Sequence, residues 1–455
     1  MLTSSTGNSG SWTAATATAQ EVPATLEEPA PQPLGLLDQF GLWTNLGISL
    51  LGFTGAVFVL DPFGSGQHMS LLACIVATLL GTAIGTLAIA LAGAAGARTG
   101  APAMVLLRGL LGAKVSYLPT LLNVLQCLGW GVFELVTIAT AGHRVAPGLP
   151  RSGWIVIAGV LTTLMTIRPL GAIRILRRYV TVIVVIVVIY LAVQLLRHPL
   201  PAITHGGWSG FWIAVDTLIG AAVSFVPLAA DYTRHARSPR IAFFGTFVGY
   251  ALAQAVCYLI GIVALLTVAK TPDDIYGAFI AVPLGTACFG VLAARELDQS
   301  FANVYSTAVS IQNGRPRWDR RILSVIIGTV TTIFALAVHI SDYENFLILL
   351  GSIFTPLAAV LAVDYFVVCR ARWDLSTGSP ARWTSLAAWL LGFVTYQLIN
   401  PGYVEWWAKM WGHIQAWVHL TPQTWMSASL FALVVSAVAT LLLAPLRRRS
   451  APSGP

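Results

Sequence analysis

The sequence predicts an all-α polytopic membrane protein of about twelve transmembrane helices. Three observations lead there. Of its 455 residues 56% are hydrophobic and only 10% are charged, where an average soluble domain carries roughly 25% charged residues. Apolar runs recur from residue 37 to residue 445, and many approach the ~20 residues needed to cross a hydrocarbon core as a helix. The alternating, turn-punctuated pattern of a membrane β-barrel is absent, so each span must satisfy its own backbone within a helix.

Taken in order, the apolar runs place spans at 37–60, 69–95, 115–141, 153–168, 179–196, 211–230, 241–269, 283–310, 321–339, 345–368, 383–400 and 424–445. Charge then orients them. With a cytoplasmic N-terminus, 20 of the 26 basic residues fall on cytoplasmic loops and tails, five fall on the other side, and Arg295 alone lies within a span. That asymmetry obeys the positive-inside rule and predicts both termini in the cytoplasm of an inner-membrane protein. The net charge of +8 is accounted for by this bias and gives no support to nucleic-acid binding.

Outside the spans little chain remains. Residues 1–34 are rich in Ser, Thr, Ala, Glu and Pro, and the first 30 lack both a basic residue and an apolar core. They read as a disordered cytoplasmic tail rather than a signal peptide. Residues 35–446 form the transporter domain and 447–455 a basic cytoplasmic tail. The stretch Pro401 to Gln423 carries Trp406, Trp407, Trp411 and Trp417, which predicts an interfacial helix on the outer side; the loop with Gly206, Gly207, Trp208 and Gly210 is expected to behave similarly. Cys74, Cys127, Cys257, Cys288 and Cys369 are scattered over different spans without metal-ligand spacing, and read as small buried apolar residues.

Span 1 contains Gly47, Gly52 and Gly55 in "GISLLGFTGAVF", and span 6 contains Gly220 and Pro227 in "IGAAVSFVPLAAD". Interrupted spans at matching places are the pointer to an inverted repeat, here spans 1–5 and 6–10 with two more appended. Proline removes a backbone donor near mid-membrane, and broken helices at that depth expose groups that can bind ions and polar solutes.

Ionisable residues inside spans cost about 3 kcal/mol each on insertion scales and mark function by default. Span 3 holds Glu134, with Trp130 four residues earlier and so on the same face. An aromatic plate beside a buried carboxylate suits a flat heterocycle, whose ring stacks while its edge donates N–H bonds. A packed Trp and a Glu bonded to a neighbouring helix is the structural alternative. Span 8 is denser, with Arg295, Glu296, Asp298, Gln299, Ser300 and Asn303 within nine residues. Arg295 and Asp298 can pair at i, i+3, while Glu296, Ser300 and Asn303 form a second stripe. One Arg faces two acids, so one carboxylate must be protonated, pair with another helix or hold a cation. An interhelical salt-bridge network without a transport role is the alternative. Asp61, Asp216, Asp231 and Asp364 sit at span ends, where water access or anchoring explains them. No HExxH, Walker, Rossmann or Ser/His/Asp arrangement is present, so neither catalytic residues nor an organic cofactor is expected.

Local motifs resemble one family. "SFVPLAADYTRHAR" in span 6, "FANVYSTAVSIQN" in span 8 and "YENFLILLGSIFTPLAAVLAVDYFV" in span 10 are similar to the purine–cytosine permease type of nucleobase–cation symporter. The segment "GAIRILRRYVTVIVV" and the span-3 Trp fit as well. The resemblance implies a leucine-transporter-like fold with inverted five-helix repeats. It also implies that substrate lies between spans 1, 3, 6, 8 and 10, bound by Trp130, Glu134, Ser224, Phe225 and Asn303. Phe225 stands where many members have Trp. Gly52, Gly55, Glu296 and Asp298 are the expected cation-binding or coupling residues. In sodium-coupled members the cation lies between span-1 carbonyls and span-8 hydroxyls. The matching span-8 positions here are Ala294, Leu297 and Asp298, so protons are favoured, or sodium held at Asp298. The expected function is import of cytosine or a purine by H⁺ or Na⁺ symport. Allantoin, a hydantoin or a thiamine-precursor pyrimidine is the alternative substrate, and a non-transporting sensor of the same fold the alternative class. The base, the stoichiometry and the oligomeric state are not legible.

Overall fold

The structure, a computed structural model, describes residues 21–175, 179–271, 274–337 and 343–449. It is helical throughout; among the described residues extended pairing is limited to two isolated bridges, Leu34 with Ala236 and Met69 with Gly207. In chain order the helices are α1 (Leu36–Gly47), α2 (Leu50–Thr54), α3 (Val57–Leu60), α4 (Leu71–Thr99), α5 (Ala103–Leu111), α6 (Tyr117–Val145), α7 (Arg151–Ile167), α8 (Pro169–Ile175), α9 (Thr181–Leu195) and α10 (Phe211–Val223). They continue with α11 (Val226–Thr233), α12 (Pro239–Thr267), α13 (Asp274–Ala281), α14 (Gly285–Arg295), α15 (Leu297–Gln312), α16 (Arg320–Ala337), α17 (Tyr343–Ala362), α18 (Trp383–Ile399), α19 (Glu405–Trp417) and α20 (Ala428–Arg449).

Among the described residues seven helices are long and apolar enough to cross a membrane, eight when the bent pair Leu36–Gly47 and Leu50–Leu60 counts as one. The shorter apolar helices α7, α9 and α18, and the charged pair α14–α15, fall at the other four expected spans. Outward faces carry exposed apolar side chains such as Leu79, Leu121, Ile186 and Leu442. Polar side chains turn inward instead: Thr78, Thr82 and Thr86 are buried along one face of α4, and Thr82 accepts a hydrogen bond from Gln254 at 3.2 Å. This inside-out distribution is that of a multi-pass membrane protein.

Three spans are broken, and the sequence explains each break. Span 1 stops at Gly47 and restarts at Leu50, where the Ser49 side chain caps the new helix by accepting from the Leu51 N–H at 3.1 Å. The two pieces diverge by 50°. A Cβ on Gly47 would stand 2.8 Å from the Ala253 Cβ and 2.9 Å from the Tyr250 carbonyl, so glycine is what lets α1 lie directly on α12. Span 6 breaks at Ser224 and Phe225, because Pro227 has no N–H for the Val223 carbonyl. Span 8 breaks at Glu296, between α14 and α15. The packing has the symmetry of two related halves: α1 runs along α12 as α10 runs along α4, pairing spans 1 and 7 in the way that spans 6 and 2 are paired.

Segments outside the spans depart from their expected behaviour in places. Residues 21–34 lie across one end of the bundle, where Val22 and Leu34 are buried. Gln32 donates to the carbonyls of Ala97 and Arg234 at 2.9 and 3.0 Å, Glu21 accepts from the N–H groups of Leu170 and Gly171, and the Ala24 carbonyl accepts from Arg320 and Gln312. Residues 1–20, and 450–455 of the basic C-terminal stretch, lie outside the described residues. The Trp-rich stretch forms α19, with Trp411 turned inward and Trp406 and Trp417 outward. The Gly206–Gly210 loop is no helix; it is held as an irregular turn through the Ser70 N–H donating to the Gly207 carbonyl at 2.9 Å.

Candidate functional site

The breaks in spans 1 and 6 open onto one interior cavity, which α6, α12 and α15 also line. The break in span 1 supplies Leu46, Gly47, Ser49 and Gly52; α6 supplies Trp130 and Glu134; the break in span 6 supplies Ser224 and Phe225; α15 supplies Gln299 and Asn303. Of the residues singled out in the sequence, Trp130, Glu134, Ser224, Phe225, Asn303 and Gly52 are thus brought together. Gly55 is not among the lining residues and lies against the Tyr258 hydroxyl.

Aromatic rings form the walls. Trp130 is half-buried and held edge-on by Phe346 (centroids 5.2 Å apart) and Phe133 (6.3 Å). Phe225, also half-buried, is held by Tyr250 at 5.2 Å and Trp43 at 6.3 Å. Sequence reading missed the fourth wall, where α12 contributes Tyr250, Gln254 and Tyr258. Their spacing of four residues places them on one helical face, a signal that was available.

The polar atoms between these rings are of a particular kind. Gln254 spends its N–H₂ on the Leu218 carbonyl and Thr82, leaving its buried carbonyl oxygen without a donor. Glu134, only 3% exposed, likewise has Oε2 without a donor. Asn303 lines the cavity. Gln126 fixes the span-6 break by donating to the Ser224 carbonyl at 2.9 Å, and Ser224 Oγ donates back to the Ala221 carbonyl. Buried acceptors without donors are costly, about 1–3 kcal/mol each.

At one edge of the cavity lies a charged cluster. Arg295 Nη1 stands 3.3 Å from Glu296 Oε2, so the ion pair is with the adjacent residue rather than with Asp298 at i, i+3. Glu296 accepts from the Leu50 N–H at the restart of span 1. Gln299 donates its amide to the Leu46 carbonyl at 2.5 Å and to Ile48 at 3.5 Å. Asp298 is buried but belongs to a different groove, bounded by Leu161 and Leu164 of α7, Ile183 of α9, and Leu297.

The span-end acids have structural partners. Asp216 is buried, not water-exposed as its position suggested; its carboxylate caps α20 by accepting from Ser427 Oγ (2.5 Å) and the N–H groups of Ala428 (2.8 Å) and Ser429 (3.0 Å). Asp231 caps α5 through the Ala103 N–H at 2.8 Å and accepts from Ser306 at 2.6 Å. Asp364 accepts from Trp373 Nε1 at 2.7 Å, and Asp61 from the Ser65 and Gly66 N–H groups.

Comparison with known proteins agrees with this geometry. Residues 63–378 match the family described as permeases for cytosine/purines, uracil, thiamine and allantoin. The cytosine permease of Escherichia coli is 25% identical over 373 residues, covering 79% of this chain and 86% of that protein. A purine-cytosine permease of Emericella nidulans is 25% identical over 280 residues, 55% of this chain and 54% of the other. Among solved structures, a nucleobase-cation-symport-1 family transporter in a closed conformation with bromovinylhydantoin bound superposes with a TM-score of 0.73 at 20% identity, covering 96% of each chain. A Na⁺-coupled sialic acid symporter superposes at 0.63 and 13% identity, over 91% of this chain and 90% of that one. The architecture is therefore the inverted-repeat transporter fold that the motifs implied.

Proposed function

This chain belongs to the family of permeases for cytosine/purines, uracil, thiamine and allantoin, and we propose that it imports a nucleobase, cytosine or a purine, across the cytoplasmic membrane by cation symport. The observation that carries the reading is the cavity itself. It joins two aromatic walls, Trp130 and Phe225, to buried acceptors without donors on Glu134 and Gln254 and to the side-chain amide of Asn303. A flat ring stacks on the former, and its amino and ring N–H groups reach the latter. An α-amino acid would need a partner for its carboxylate, whereas the cavity presents acceptors.

The broken spans are what allow movement. Each half-helix ends beside the ring site, so rocking of one helix set against the other opens the cavity to either side while the ring contacts persist. The cation acts at the break in span 8, where Arg295, Glu296 and Asp298 crowd together. The basic asymmetry of the loops supports a cytoplasmic side for residues 21–34 and 447–449.

Counterflow in proteoliposomes tests this. Vesicles preloaded with unlabelled cytosine, adenine, hypoxanthine, uracil, allantoin or a hydantoin exchange with external labelled base only when the internal compound is a substrate. Cytosine or a purine should drive the fastest exchange. Exchange driven solely by allantoin or a hydantoin would reassign the substrate, and exchange driven by none would remove the transport reading.

A further inference from the structure

Cytosine and uracil have the same outline and the same aromatic faces, and stacking on plates such as Trp130 and Phe225 tolerates either base. They differ at one edge, where cytosine carries an amino donor and uracil an oxo acceptor, as adenine differs from hypoxanthine. Only a wall group of fixed polarity reads that difference. A carboxamide that can turn over presents its N–H₂ or its oxygen as the solute requires. Gln254 cannot turn over.

Gln254 lies on α12 one turn beyond Tyr250, whose ring packs on Phe225 with centroids 5.2 Å apart, and it lines the ring cavity while only 2% exposed. Its Nε2 donates to the Leu218 carbonyl of α10 at 3.0 Å and to Thr82 Oγ1 of α4 at 3.2 Å. A backbone carbonyl only accepts, so the nitrogen must face Leu218; turning the amide over would set oxygen against oxygen. The two acceptors are themselves held in place. A Cβ on Gly81, the neighbour of Thr82, would stand 2.8 Å from the Leu218 Cβ and 2.8 Å from the Val215 carbonyl, so α4 and α10 meet without a gap here. With its N–H₂ committed, the carbonyl oxygen is the polar atom that Gln254 keeps for the cavity.

We propose that Gln254 determines which bases the cavity takes: its fixed carbonyl accepts the exocyclic amino group, so cytosine and adenine are bound and uracil and hypoxanthine are rejected. The inference rests on the nucleobase reading above and deepens it. An oxo group in place of the amino group sets two acceptors face to face on a buried wall, and neither brings a proton. Turning uracil in its plane brings a ring N–H to the oxygen, but with an oxo group beside it that finds no N–H on Gln254. A site built to bond a substrate N–H rejects the analogue that lacks it. One unpaired buried group is worth about 5- to 150-fold in affinity. Glu134 and Asn303, from α6 and α15, serve the rest of the ring edge. Thr82 acts at one remove, as the residue that positions the amide.

Equilibrium binding of labelled cytosine, adenine, uracil and hypoxanthine to the purified full chain tests this. In the wild type the amino bases should bind about 5- to 150-fold more tightly than their oxo counterparts. Gln254→Met keeps the bulk of the side chain without its amide, and should bring the cytosine-to-uracil affinity ratio close to one. Thr82→Val should lower the same ratio, and Thr82→Ser, which keeps the hydroxyl, should restore it. The ratio compares two ligands on one protein, so a general loss of folded material leaves it unmoved. Should Gln254→Met fail to fold, the two Thr82 variants decide. Oxo bases bound as tightly as amino bases by the wild type, or the wild-type ratio in Gln254→Met or Thr82→Val, overturns the proposal and leaves the nucleobase reading in place. If none of the four bases is bound, that reading fails and the proposal falls with it.

Discussion

Replacing Trp130 by alanine removes one wall of the cavity and nothing charged. Phe133 and Phe346 hold the indole from behind at 6.3 and 5.2 Å, so in the native protein the plate is in place before substrate arrives and little ordering is needed on binding. A base stacked on an aromatic side chain gains roughly 1–3 kcal/mol. With Phe225 still lining the cavity, a loss of about 2 kcal/mol is expected, or about 30-fold in affinity. Trp130→Phe keeps a plate and should cost less than about 1 kcal/mol, under roughly fivefold. Equilibrium binding of labelled base to purified protein reads the effect directly, and the thermal midpoint of each variant separates lost stacking from lost packing. Wild-type affinity in well-folded Trp130→Ala would refute stacking at this residue.

Other variants probe the remaining walls and supports. Glu134→Gln should change which bases compete for uptake, since a carboxamide presents one acceptor and one donor edge where the carboxylate presents two acceptors; an unchanged competition profile assigns Glu134 to structure. Asn303→Ala should weaken binding by about 1–3 kcal/mol with little change in thermal midpoint, measured on the same purified protein. Asp216→Ala removes the acceptor of three donors at the start of α20, and should cost about 2 kcal/mol or more of stability while leaving affinity per folded molecule intact. Deleting residues 1–34 removes the hydrogen bonds that Gln32, Glu21 and Ala24 make to the bundle, and should lower the thermal midpoint; an unaltered midpoint would show that this segment adds no net stability.

Much of this was legible because membrane helices leave few ways to hide a polar group. Pro227 and the glycines of span 1 marked the breaks, and the i, i+4 spacing of Trp130 and Glu134 placed both on the cavity. Tyr250, Gln254 and Tyr258 escaped notice because a Tyr or Gln in an apolar run is unremarkable until its face is known, although their shared spacing was visible. What spacing could not supply was partnership across the bundle. Glu296 holds the Leu50 N–H of span 1, more than 200 residues away in sequence. Arg295, read as the partner of Asp298, ion-pairs with the adjacent Glu296 instead, although Arg295 and Asp298 line the same groove. Asp216 is buried by α20, a span more than 200 residues later.

The central claim is that a flat base lies between Trp130 and Phe225 with its N–H edge toward Glu134, Gln254 and Asn303. An experimental structure of the protein with cytosine or adenine bound tests it most directly. The account predicts planar density between those two rings, within hydrogen-bonding distance of the three polar side chains. Density for the base in another cavity, such as the groove beside Asp298, with the Trp130–Phe225 space left empty, would contradict it.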